Sequence, residues 1–168
     1  MSYERDKALL INRLNGSRLA AANTSLQDGL HVVAVRYTRH DQNPQRWTCT
    51  KLGEENQWTV VRFEITDGSN TFCLDSGESP EIGYTGDDWL RIKTPDDSDR
   101  QKWLIREDWA ETKHVFNIAP YLNTSCGVSL KDNFGNLSHD EVVLARNFSS
   151  LNQLWYWNGA HYKDEIPK

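Results

Sequence analysis

A tripeptide of the form Gln-x-Trp occurs three times in this chain, as Gln45-Arg46-Trp47, Gln101-Lys102-Trp103 and Gln153-Leu154-Trp155, with successive copies 56 and 52 residues apart. Each copy closes a block of one plan: an apolar run, a small polar turn, a second apolar run, a polar loop, then the motif. The turns are Asn15-Gly16-Ser17, Asp67-Gly68-Ser69 and Asn123-Thr124-Ser125. They stand 30 residues before the motif Gln in blocks one and three and 34 in block two. A repeat of this pitch implies units that cannot bury their apolar faces alone and therefore share one core.

The local patterns inside the blocks are those of strands. Val61, Phe63 and Ile65 alternate with Val60, Arg62 and Glu64, the period of a half-buried strand. Asp67-Gly68-Ser69-Asn70 then closes a hairpin, with Thr71 to Asp75 as the return strand. His31 to Tyr37 is short and β-branched, Trp89 to Ile92 is a further strand, and Val142-Val143-Leu144 is another. Leu19-Ala20-Ala21-Ala22 has helical propensity in isolation, but its place in the repeat makes it a strand. Twelve short strands joined by Gly, Asn and Asp turns define an all-β chain. Threefold repetition points to a closed barrel, because closure removes exposed sheet edges. The 168 residues suit one domain, with approximate repeats 8–55, 56–110 and 111–158 and a polar tail 159–168.

Bulk properties exclude several functions. The net charge of −5, with no Lys/Arg cluster, argues against nucleic-acid binding. No apolar run is long enough to span a membrane. The charged start, Met1 to Lys7, lacks the apolar stretch of a signal peptide, so cytoplasmic synthesis or unconventional release is expected. Cys49, Cys73 and Cys126 are odd in number and lack metal spacing, which disfavours a disulfide framework and a zinc site. Asn15, Asn23, Asn123, Asn136 and Asn147 head Asn-x-Ser triplets and read as turn chemistry. His139-Asp140-Glu141 is the one cluster of catalytic residue types, and no nucleophile signature accompanies it. The acidic run Asp96, Asp97 and Asp99 reads as solvated loop charge rather than half of a calcium site. No cofactor or metal is expected.

The three motifs, together with Cys73-Leu74-Asp75, resemble the ricin-B-type β-trefoil lectins over nearly the whole chain. Low cysteine content and the Val143-Leu144-Ala145 stretch before Asn152 are similar to small cytoplasmic fungal trefoils, which include lectins and protease inhibitors. The resemblance implies that motif Trp packs between repeats and Gln braces a loop. The sugar site would use an Asp on the early strand, an aromatic on the later strand and an Asn just before the Gln. A carboxylate accepts from adjacent hydroxyls, an amide both donates and accepts, and an aromatic face covers the apolar side of a sugar ring.

Transferred residue by residue, block two retains Asp75 and Gln101, with Asp99 or Arg100 in place of the Asn and Trp89 the nearest aromatic. Block three retains Asn152 and Gln153, with Asp132 as an out-of-register carboxylate and Phe148 as a ring. Block one has Ala21 or Ala22 at the Asp position, Pro44 at the Asn position and Tyr37 as its aromatic, and is expected to be dead. The leading expectation is a non-catalytic lectin with one or two divergent glycan sites. Its partners would be glycans or glycoproteins, with a homodimer as a further expectation. The alternative is a protease inhibitor acting through Gln27 to Leu30, Ser76 to Asp88 or Asp132 to Asp140. A protein-interaction module is a third reading, since fold does not fix function.

Overall fold

The computed structural model describes residues 4–35, 44–84, 89–107, 115–130, 139–140, 142–146 and 151–158. Thirteen strands lie among them: β1 (Arg5–Asn12), β2 (Arg18–Ala21), β3 (Val32–Val35), β4 (Arg46–Glu55), β5 (Trp58–Asp67), β6 (Asn70–Asp75), β7 (Arg91–Lys93), β8 (Trp103–Glu107), β9 (Phe116–Pro120), β10 (Cys126–Leu130), β11 (His139–Asp140), β12 (Val142–Arg146) and β13 (Trp155–Asn158). Six of them close a ring of antiparallel pairs. β1 pairs β4, β4 pairs β5, β5 pairs β8, β8 pairs β9, β9 pairs β13, and β13 returns to β1. Closure leaves no edge in the barrel.

The other strands cap the ring. Each block contributes one hairpin: β2–β3, β6–β7 and β10–β12. Backbone bonds link the hairpins to one another. Val32 N–H donates to the Leu90 carbonyl and Ile92 N–H to that of Leu30, joining the first hairpin to the second. Gly83 N–H donates to the Leu144 carbonyl, and Leu144 N–H donates back to that of Tyr84, joining second to third. The two-residue β11 pairs with β3 and joins third to first. It is the one strand beyond the twelve expected from the repeat. Leu19-Ala20-Ala21 is strand, so sheet pairing overrides helical propensity there. The strand expected from Trp89 begins instead at Arg91.

The turns follow the polar triplets. Asn15 Oδ1 accepts from Ser17 N–H at 2.9 Å, and Asn123 Oδ1 accepts from Ser125 N–H at 3.2 Å. These are Asx turns, in which a side chain replaces a backbone acceptor. In block two, Gly68 takes φ +59 to reverse the chain between β5 and β6, a conformation that favours glycine.

One core serves all three blocks. Trp47, Trp103 and Trp155 are fully buried within a single apolar cluster. Phe63 bridges Trp103 and Trp157, with ring centroids 6.4 and 6.0 Å away. Two barrel-facing pairs trade volume, Cys49 opposite Phe63 and Leu10 opposite Trp157, while Ile105 opposite Ile118 is evenly matched. A small residue against a large one keeps the layer filled where the blocks differ. The cysteines are free and buried. Burial pushes the Cys73 thiol up to about 12 and the Cys126 thiol up to about 11.

Candidate functional site

The three motif tryptophans fix the alignment of the blocks. Each indole N–H donates to one backbone carbonyl on the first strand of the cap hairpin of its own block. Trp47 donates to Leu19 at 2.9 Å, Trp103 to Leu74 at 3.0 Å and Trp155 to Val128 at 2.9 Å. The residues that follow these acceptors are therefore equivalent: Ala20, Asp75 and Ser129. A second bond supports the match. Ser76 N–H donates to the Arg100 carbonyl, and Ala21 N–H donates to the Pro44 carbonyl, both at 2.9 Å. Pro44, Arg100 and Asn152, each immediately before a motif Gln, thus hold one position.

This alignment corrects the sequence reading. Block one carries Ala20, not Ala21 or Ala22, at the carboxylate position. Ala20 and Pro44 offer no polar side chain. Block three carries Ser129 there, a buried hydroxyl with no hydrogen-bond partner among the described residues. Asp132 and Phe148 lie outside the described residues, as does Tyr37.

Block two assembles the fullest polar constellation. Asp75 ends β6, where Cys73 and Leu74 are buried, and its carboxylate turns back over the strand end. Oδ1 accepts from Gly77 N–H at 2.8 Å. Oδ2 accepts from Gln101 Nε2 at 3.3 Å and lies 3.9 Å from Arg100 Nε. Gln101 sits in the 3-10 turn Asp99–Gln101 and is itself buried. Its Nε2 also donates to the Thr94 carbonyl at 2.9 Å, and its Oε1 accepts from Asp96 N–H at 2.9 Å. Gln101 therefore ties β6, the end of β7 and the following loop together, and holds Asp75 in one orientation.

Arg100 occupies the position expected for Asn. Its Nη2 donates to Asp96 Oδ2 at 2.7 Å, and its Nη1 lies 3.4 Å from Glu78 Oε1. The hydrogen bond to Asp96, and then the charge of Asp75, raise the guanidinium pKa above its ordinary value. Asp96 is held below the usual carboxylate range by the Ser98 hydroxyl and N–H, and then by Arg100. Within the acidic run, Asp96 pairs with this guanidinium, while Asp97 Oδ1 lies 3.6 Å from Arg62 Nη1. Asp99 joins neither pair: its carboxylate accepts from Lys102 Nζ at 2.8 Å, so Arg100 and not Asp99 is the counterpart of the Asn. Trp89 is also removed from the site. It is 3 % exposed, with its ring 6.1 Å from that of Trp103, so it anchors the core and offers no face to a ligand.

Block three brings Asn152 and Gln153 together in the second 3-10 turn, Leu151–Gln153. Asn152 Nδ2 donates to the Leu130 carbonyl at 3.1 Å, and its own carbonyl accepts from Asn12 Nδ2 at 2.9 Å. Gln153 Nε2 donates to the Arg146 carbonyl. Gln45 in block one is half-buried, with Arg18 Nη1 donating to its Oε1 at 3.4 Å. The side chains of His139 and Asp140, and all of Glu141, lie outside the described residues. No group of three His, Cys, Asp or Glu among the described residues could hold a metal ion.

A six-strand barrel, three hairpin caps and three indoles in equivalent sockets make this a β-trefoil. No protein-family model matches the sequence, and no curated protein sequence does. Solved structures match the fold. The designed threefold-symmetric protein ThreeFoil superposes with a TM-score of 0.67 at 18% identity, covering 90% of this chain and 97% of that one. A Macrolepiota procera ricin B-like lectin solved with lactose gives 0.67 at 16%, covering 94% and 98%. The C-half of an earthworm R-type lectin solved with GalNAc gives 0.59 at 12%, covering 92% and 98%. The same fold also forms part of longer proteins: this chain spans 17% of a mosquitocidal holotoxin and 31% of an exo-β-1,3-galactanase from Clostridium thermocellum.

Proposed function

We propose that this protein is a non-catalytic carbohydrate-binding trefoil, with its principal site at Asp75 in block two and a second, divergent site at Asn152 and Gln153 in block three. The observation that carries this reading is the Asp75–Gln101 bond above the Trp103 socket. It joins two residues 26 apart in sequence and fixes a carboxylate, itself only 4 % exposed, behind the more accessible donors of Arg100. A carboxylate next to a guanidinium offers acceptors and donors to neighbouring hydroxyls, and charge-assisted bonds are the stronger kind. Arg100 donates only, whereas an Asn both donates and accepts. The block-two site is therefore suited to a sugar that presents acceptor oxygens to the guanidinium. The lactose and GalNAc complexes of trefoils with the same fold support the assignment to carbohydrate. Block one, with Ala20 and Pro44, contributes no site. Neither protease inhibition nor dimerisation draws support from the fold or the site.

A glycan array probed with the soluble protein tests this reading. Binding to a defined glycan class is expected, with loss of about tenfold or more in Asp75→Asn, since hydrogen bonds to a charged group contribute roughly 1.5–3 kcal/mol. Binding that survives Asp75→Asn unchanged removes block two from the proposal, and an array silent at high protein concentration removes the lectin reading.

A further inference from the structure

The barrel wall carries a recess away from the three motif sites. Val60, Leu104 and Ala119 form a cross-strand row over β5, β8 and β9, with Val60 opposite Leu104 and Leu104 opposite Ala119. They make an apolar cluster separate from the main core, with half-buried Trp58 and Tyr121 packed against it. A cavity of about 240 Å³ opens there, lined by Glu55, Asn56, Trp58, Leu104, Tyr121 and Thr124. The Tyr121 hydroxyl hydrogen-bonds to Glu55, which pushes the phenol above its ordinary pKa. The turn that carries Asn56 is tight, with φ +51 at Asn56 and +73 at Gln57.

The barrel itself does not require this lining. The residue after each motif Trp holds an equivalent place, and it is Thr48, Leu104 and Tyr156 in the three blocks. Thr48 is polar and donates to Asp6 Oδ1. Tyr121 follows Pro120, which lies opposite Trp103. Its counterpart follows Asn12, opposite Trp155, and is Arg13. An aromatic pair at this one wall is a property of the recess, not of the repeat.

We propose that this recess is a further saccharide site, distinct from the motif sites, taking a single neutral pyranose. The rings supply apolar surface for one face of a sugar. Glu55, Asn56 and Thr124 supply acceptors and donors at the rim, and a carboxylate that accepts one hydroxyl has lone pairs left for others. The volume lies below the range for drug-sized ligands and suits one sugar ring. A lipid tail or an aromatic fragment would leave the hydrogen-bonding capacity of this polar rim unused and desolvate part of it. A cationic ligand is disfavoured because the rings already carry cations. The Arg106 guanidinium lies 4.7 Å from the Trp58 ring centroid, and Lys102 Nζ lies 5.3 Å from that of Tyr121. Lys102 is neutralised by Asp99, and the Glu55 carboxylate on the lining opposes an anion.

The test is a titration of isotope-labelled protein with galactose, N-acetylgalactosamine, glucose, N-acetylglucosamine and mannose at tens of millimolar, with choline alongside, followed by NMR. At least one sugar is expected to move the Trp58 indole N–H and the Tyr121 ring signals in a saturable way. Thr124→Ala, a rim change that leaves the rings in place, is expected to weaken that binding several-fold. Trp58→Ala, checked for folding by its amide spectrum, is expected to weaken it about tenfold, read at Asn56 and Tyr121. Asp75→Asn is expected to leave it unchanged. The proposal is overturned if no sugar moves these signals, if the response persists at full strength in Trp58→Ala, or if choline alone produces it. Array binding lost in Asp75→Asn, with a silent recess, would sink this inference and leave the block-two site standing. Array binding lost only in Trp58→Ala would do the reverse.

Discussion

Blocks one and two place the same indole in the same kind of socket and surround it with different chemistry. Trp47 and Trp103 are both fully buried, and both donate to the carbonyl that precedes the site position. Around Trp103 stand Asp75, a buried Gln101 with three hydrogen-bonded partners, and Arg100. Around Trp47 stand Ala20, Pro44 and a Gln45 left half in solvent. The indole thus specifies the barrel and the neighbours specify the site, and the two can vary independently. A Gln-x-Trp count reports how many units share the core. It does not report how many bind.

The comparison breaks first if the indoles are not equivalent. Trp47→Ala and Trp103→Ala are each expected to cost about 3–5 kcal/mol, the usual range for emptying a buried Trp site, measured by urea denaturation. A mild loss at Trp47 alone would mean that the block-one socket is not structural. A finer test compares Trp103→Phe with Trp157→Phe. The first removes the donor to the Leu74 carbonyl and is expected to cost about 1–3 kcal/mol beyond its volume change. Trp157 is fully buried, but its Nε1 has no partner among the described residues, so its replacement carries no such penalty, and the difference between the two melting curves isolates the hydrogen bond. Gly68→Ala, at φ +59, is expected to cost about 1 kcal/mol with no effect on glycan binding.

The smallest effect is with pH. Asp28 in block one is held below its ordinary value chiefly by Thr94 N–H, and Asp96 in block two by the Ser98 hydroxyl and N–H. For a carboxylate with a lowered folded pKa, the stabilisation is full above its unfolded value and fades as pH falls through the folded one. Both groups are exposed enough for solvent to screen them. A shallow fall in melting temperature is therefore expected from about pH 4 downward, less steep in Asp28→Asn.

Much of the fold was legible because each block repeats its signals. The Asx turns at Asn15 and Asn123 and the alternation of Val61, Phe63 and Ile65 are local, and local signals survive reading one residue at a time. The site was harder. The distance from the carboxylate position to the motif Trp changes by a residue or two between blocks, so Ala20 and Ser129 are found only through the carbonyls that the indoles touch. Trp89, beside two aspartates, reads from the sequence alone either as a core anchor or as a stacking surface, and only its contact with Trp103, distant in sequence, settles it as core. Asp99 and Arg100 are adjacent, and only their partners, Lys102 for one and Asp75 for the other, separate them. The recess at Trp58 and Tyr121 left no sequence signal, since it exists only where three strands meet.

Ring closure by β13 against β1 also sets a condition on how the chain is made. Leu9 to Asn12 find their partners in Trp155 to Asn158, on the last of the described strands to be synthesised. Until it emerges the first strand has one flank bare, and the nascent chain must wait with apolar surface showing. Such long-range pairing places folding in the millisecond-to-second range typical of β architectures and makes the interval before β13 emerges the time at which association with other chains is most dangerous.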